Sequence, residues 1–194
     1  MKYASTLLAF LILSGAPAPA AILLYGISLS GPNESPANAS PGTGSGTVTI
    51  DTVGNTMQIQ MSFTGLTGTT TAAHIHGATT VALLGNAGVA TTTPNFVGFP
   101  LGVTSGTFNS TYDMTLAASF NPSYVTANGG TVPQAWAALQ TAIAEQKSYF
   151  NVHSSTFGGG EIRGFLTPVP EPASTAFLFA GLAGFALRRK RREA

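Results

Sequence analysis

The residues of this 194-residue chain that could do chemistry gather in two short segments. AHIHG, residues 73–77, holds His74 and His76; YFNVHSSTFGGGEIRGFL, residues 149–166, holds His153, Asn151, Glu161 and Arg163. All three histidines of the protein are here, with the one arginine outside a basic C-terminal run. A His-x-His pair on a strand puts two imidazoles on one face, about 6.5–7 Å apart along the chain. Two such rings can reach one ion, and a third from His153 would complete a three-nitrogen site with one position open. Copper or zinc suits that donor set. The plainer reading is a surface cluster in which the histidines and Asn151 hydrogen-bond and pin one strand to the next.

Other catalytic sets find little support. Glu161 and Arg163 stand two apart on one strand face, and a pairing with each other or across strands is worth roughly 0–1 kcal/mol if exposed. Gly158-Gly159-Gly160 is a permissive hairpin connection and not a phosphate loop, since no helix follows to present its amides. His153 and Ser154 cannot pair directly, because adjacent strand residues point to opposite faces. The chain has no cysteine, which excludes thiol catalysis and thiolate metal sites.

The elements that must position these residues are strands. In residues 149–155, Phe150 and Val152 share one face, and Tyr149, Asn151 and His153 the other. Ile75 opposes His74 and His76 in the same way, and Ile162 and Leu166 oppose Glu161, Arg163 and Phe165. The aliphatic face is therefore the expected core, with the histidines outside the wall. Earlier in the chain Tyr25, Ile27 and Leu29 alternate, then Val48 and Ile50, then Met57, Ile59, Met61 and Phe63 across a turn at 51–55. The pattern of the last two runs is a hairpin. Residues 31–46, GPNESPANASPGTGSG, are too rich in breakers for regular structure. Residues 77–106 read as loop, and 117–130 as irregular. Between them Phe108, Tyr112, Met114 and Leu116 point inward. One helix is predicted over 133–146, with Trp136, Leu139 and Ile143 on its core stripe and Pro133 in its first turn. The expected fold is mostly β, an antiparallel sandwich or Greek-key barrel with one helix.

Composition agrees. Only 8% of residues are charged, against about 25% in typical soluble domains. Over residues 21–168, two cations (Lys147, Arg163) meet five acids (Glu34, Asp51, Asp113, Glu145, Glu161), a net charge of −3. A mildly acidic domain argues against nucleic-acid binding. About 145 residues can build a core without disulfides.

The two ends read as addresses. Residues 1–20 have a basic start (Lys2), an apolar run over 7–13 and an Ala18-Pro19-Ala20 cleavage site, the pattern of a secretion signal. At the other end Pro170-Glu171-Pro172 precedes an uncharged apolar segment at 173–187. Arg188, Arg189, Lys190, Arg191 and Arg192 follow at once. Fifteen apolar residues fall short of the roughly 20 that span a bilayer comfortably. The basic cluster nevertheless favours a membrane segment held with its end inside, and Ala180 and Gly184 give it a small-residue face.

This tail resembles a PEP-CTERM sorting signal, with Pro170-Glu171-Pro172 as its signature. The resemblance implies recognition by an exosortase, a membrane protease-transpeptidase of Gram-negative bacteria, and removal of the tail near that motif. The expected path runs through the secretion translocon and signal peptidase to transient inner-membrane anchoring. Release to the cell surface or extracellular matrix follows. Residues 21–167 resemble the CHRD domain, named from the chordin proteins. The segments that carry this are LSGPNESPANASPGTGSG, SFTGLTG with AAHIHG, and SYFNVHSSTFGGGEIRGFL. That resemblance implies an immunoglobulin-like or superoxide-dismutase-like sandwich and no set activity. The histidine layout is similar to part of the copper site of Cu/Zn superoxide dismutases, but no fourth histidine exists to bridge two metals. The expected function is thus a non-catalytic exported module binding a matrix or surface component. The alternative is a dismutase-like domain using a three-histidine copper or zinc site.

Overall fold

Alternation writes the sheet directly. A computed structural model of the protein describes residues 22–170. Its strands are β1 (Ile22–Ser30), β2 (Thr43–Asp51), β3 (Thr56–Thr64), β4 (Thr70–His76), β5 (Gly106–Asp113), β6 (Tyr149–Ser154), β7 (Ile162–Phe165) and β8 (Thr167–Pro168). All pair antiparallel in one sheet, in the order β4-β6-β7-β1-β2-β3-β5, with β8 also on β1. The apolar sets of β1, β2 and β3 named above are all buried in one core.

The expected mostly β, antiparallel fold forms as one sheet curled into a half-barrel, where a sandwich or a Greek-key barrel was expected. Phe96 lies 6.1 Å from Phe108 and 5.1 Å from Tyr112 on β5, at one end of the strand order. The same ring stacks 5.7 Å from Phe150 on β6, near the other end. Both extremes of one sheet thus close on one aromatic plug. The loop that carries the plug also satisfies the free edge of β4. Ala90 N–H donates to Ile75 O, Phe96 N–H to Ala73 O, and Gly102 N–H to Thr70 O. A covered edge leaves no unpaired row of backbone groups there.

Two helices replace the single one expected. α2 (Val132–Ala144) buries Trp136, Leu139 and Ile143 as the stripe requires, and Trp136 Nε1–H donates to Asn55 Oδ1. α1 (Pro122–Ala127) falls where an irregular segment was expected. Asn121 caps it by accepting from Ser123 N–H, and Pro122 occupies its first turn, a start signal that Asn-Pro-Ser spelled out. Leu116 is exposed and not inward, because β5 ends at Asp113 and the alternation ends with it. β2 begins at Thr43, inside the glycine- and serine-rich stretch, since pairing with β3 overrides weak local propensity.

Gly164 lets β7 approach β1. A Cβ there would collide with the Ser28 backbone carbonyl. Gly164→Ala is expected to lose about 3 kcal/mol in urea unfolding, and an unchanged midpoint would refute the close approach.

Val169 N–H donates to Leu24 O, so the chain leaves β8 beside the start of β1. Ile22, Leu23, Leu24 and Val169 are exposed at that end. Among the described residues no helix is long and apolar enough to cross a membrane. The expected signal at 1–20, the apolar segment at 173–187 and the basic tail at 188–192 lie outside the described residues.

Candidate metal centre

The register of β4 on β6 sets the site. Ala72 faces His153, His74 faces Asn151, and His76 faces Tyr149; on β7, Arg163 faces Asn151 and Phe165 faces Tyr149. All these side chains share the sheet face opposite Ile75, Phe150 and Val152, as alternation requires. The face is not open to solvent, which corrects the surface placement. His74 is 6% exposed and His76 8%, while His153 is half-buried. Residues from the 77–105 loop and from the 155–160 turn lie over them.

Those covering segments fix each ring. His74 Nε2–H donates to Pro94 O (2.6 Å), His76 Nδ1–H to Ala87 O (2.9 Å), and His153 Nδ1–H to Gly158 O (3.0 Å). A carbonyl only accepts, so each of these nitrogens carries the proton. The remaining nitrogens, His74 Nδ1, His76 Nε2 and His153 Nε2, are therefore lone pairs; all three are buried and without a hydrogen-bond partner. The histidines do not bond to one another or to Asn151, so the hydrogen-bonded surface cluster is not what forms.

The rings pack with centroids 5.3–5.9 Å apart, and each offers one nitrogen within 4.8 Å of the other two. Tetrahedral coordination at a 2.0–2.1 Å bond length separates donors by about 3.3 Å, so small ring rotations would bring all three onto one ion. Burial lowers all three pKa values, His76 to about 4, with the carbonyl bonds opposing that shift and the neighbouring imidazoles adding to it for His74 and His76. The rings are neutral at pH 7, the form that binds a metal. Carbonyl partners on the far nitrogens are the usual orienting shell of a histidine site. Tyr149 stacks on His76 (4.8 Å, 7° between planes) and its hydroxyl meets Ala87, locking that ring further.

Asn151, Glu161 and Arg163 are buried but do not form one polar site. Glu161 and Arg163 do not pair with each other. Glu161 is fully buried and accepts from the Ser40 hydroxyl and the Thr67 and Gly68 amides. Arg163 donates to Asn33 O and Asn86 Oδ1, stacks 4.6 Å over Tyr149, and lies 3.9 Å from Glu34. Glu34 was not singled out from sequence, although it is the one acid in a loop otherwise built of breakers. Burial lifts its pKa to about 7 against the pull of Arg163. The carbonyls of Ala87, Pro94 and Gly158 carry no sequence signal.

A family model for the CHRD domain matches residues 25–166. The chain belongs to the CHRD family. A second model, for the PEP-CTERM protein-sorting motif, matches residues 168–192. The tail of this CHRD protein implies exosortase as its sorting partner, with export and transient membrane anchoring during processing. No curated protein and no solved structure matches the chain. The CHRD match runs from β1 through β7 and takes in all three histidines.

Proposed function

We propose that this CHRD protein is an exported, non-catalytic binding module that holds one copper or zinc ion between His74, His76 and His153. The observation that carries the reading is a set of three buried, unpartnered ring nitrogens on histidines that each bring one nitrogen within 4.8 Å of the other two. Buried polar atoms are normally satisfied, and three unpartnered acceptors on one close cluster of rings suit a cation. An ion shielded under the roof of residues 77–105 has a structural or carrying role. Dismutase-like redox catalysis is the second reading, and the third histidine favours it no further, since the chain has none left to bridge two metals.

Elemental analysis of the exported protein after metal loading and desalting tests this. The expected result is one ion per chain, lost in His153→Ala while the circular dichroism of the fold persists. No retained copper or zinc refutes the reading. Loading is expected to stabilise the native state by about 2.7 kcal/mol at one hundred times the dissociation constant, reversed by a chelator. A thermal midpoint indifferent to metal would argue against it.

The sorting half of the proposal is that the secretion signal leads to the translocon and signal peptidase. Exosortase then cuts near Pro170-Glu171-Pro172 and delivers the domain to the cell surface or matrix. Deleting residues 169–194 is expected to release a soluble secreted form. Unchanged fractionation with membranes would overturn that route.

A further inference from the structure

We propose that the ion held by His74, His76 and His153 is copper(I), bound by three nitrogens alone. This deepens the metal-binding reading above and rests on it.

Charge makes the first case. Each imidazole spends its proton on a carbonyl, so the ligand set is neutral. Among the described residues the cluster contains no carboxylate. Of the nearby acids, Glu161 is committed to Ser40, Thr67 and Gly68, and Glu34 sits beside Arg163. Arg163 adds a positive charge on the far side of a stack, 4.6 Å from the Tyr149 ring that itself lies 4.8 Å from His76. The cost of burying an ion grows with the square of its charge, so an uncompensated divalent ion costs about four times as much as a monovalent one. A neutral, buried donor set beside a guanidinium therefore favours the singly charged ion.

Coordination number makes the second. Zinc(II) takes four ligands, and copper(II) prefers a tetragonal set. Three ring nitrogens are offered here, and all three lie beyond the reach of solvent, which would otherwise supply a fourth ligand. Asn151, the cross-strand neighbour of His74, turns its amide toward Gly160. A trigonal ion needs nothing more than the three nitrogens.

The test is a competition on the exported protein under anaerobic conditions, with ascorbate-reduced copper and equimolar zinc(II), read by elemental analysis and X-ray absorption. One copper per chain, with a copper(I) edge and three nitrogen neighbours, is the expected result. Displacement of copper by zinc, or a four-coordinate divalent ion, overturns copper(I) and leaves the metal site standing. Retention of neither metal removes the site itself. Ala72→Asp separates charge from shape, because Ala72 faces His153 across the strand pair and is half-buried. A carboxylate there is expected to move the zinc-to-copper preference toward zinc by at least about tenfold. An unmoved preference in a folded variant refutes the charge argument.

Discussion

Glu161→Ala is expected to cost the fold about 3–5 kcal/mol, measured by urea unfolding, because it strips a buried carboxylate from donors that have no other partner. The carboxylate joins three separate stretches of chain. Ser40 Oγ–H reaches it from the loop after β1 (2.6 Å), and the Thr67 and Gly68 amides reach it from the turn before β4. Its own backbone carbonyl accepts from Asn38 Nδ2 (3.0 Å) and its N–H donates to Val152 O. Losing the side chain leaves the Ser40 and Ser154 hydroxyls and the Gly68 amide without this partner in a buried place, and the Thr67 amide without it nearer the surface. Glu161→Gln is expected to fall between, since one oxygen remains and an NH2 faces donors. A loss below 1 kcal/mol for the alanine variant would mean that water replaces the carboxylate.

The acid sensitivity of the metal-free protein follows from the same groups. Burial alone would raise the Glu161 pKa, but hydrogen bonds from Ser154, Ser40, Thr67 and Gly68 prevail and hold it below its ordinary value. Its stabilisation is therefore complete above the ordinary carboxylate value and is lost as pH falls through the lowered one. The histidines act earlier. The unfolded chain takes up protons near 6.5 while burial keeps the folded rings neutral, His76 down to about 4. Stability thus falls as pH drops from 6.5 towards 4. Glu34 works the other way. Raised from 4.5 to about 7, it favours the fold below 4.5 and loses that contribution as pH rises through 7. Unfolding at pH 7.5, 6 and 5 is expected to show a net decline, and a flat profile would contradict the neutral rings.

What the sequence disclosed and what it withheld divide along physical lines. Period-two alternation in 57–63, 149–153 and 162–166 set both the strands and their core faces, because a buried face tolerates no slip of register. The three histidines were legible as one set for the same reason: two lie on one face of β4 and the third on the same face of β6. Their burial was not legible. It depends on where residues 77–105 lie, and that loop is held by main-chain bonds such as Phe96 N–H to Ala73 O, which side-chain patterns do not encode. The Arg163–Glu34 pair spans residues too far apart for any local signal. Sandwich and barrel stayed open as alternatives because alternation marks a face as buried without saying whether another sheet or its own far edge buries it.

Phe96→Ala is the variant that joins fold to site, with an expected loss of about 3–5 kcal/mol. The ring is fully buried and touches Phe108, Tyr112 and Phe150, so its removal opens a cavity between the two ends of the sheet. The effect reaches the metal centre through the backbone. Phe96 follows Pro94 by two residues, and Pro94 O is the carbonyl that orients His74. A plug that no longer anchors its loop leaves that carbonyl free to wander, and with it the His74 tautomer that keeps Nδ1 unprotonated. Metal affinity is therefore expected to fall by about 10- to 100-fold, as when an orienting partner of a metal histidine is lost. Phe96→Leu keeps most of the apolar volume, so it is expected to restore affinity before it restores full stability. Should Phe96→Ala unfold easily yet bind metal as tightly as the parent, the roof has no part in aiming the histidines.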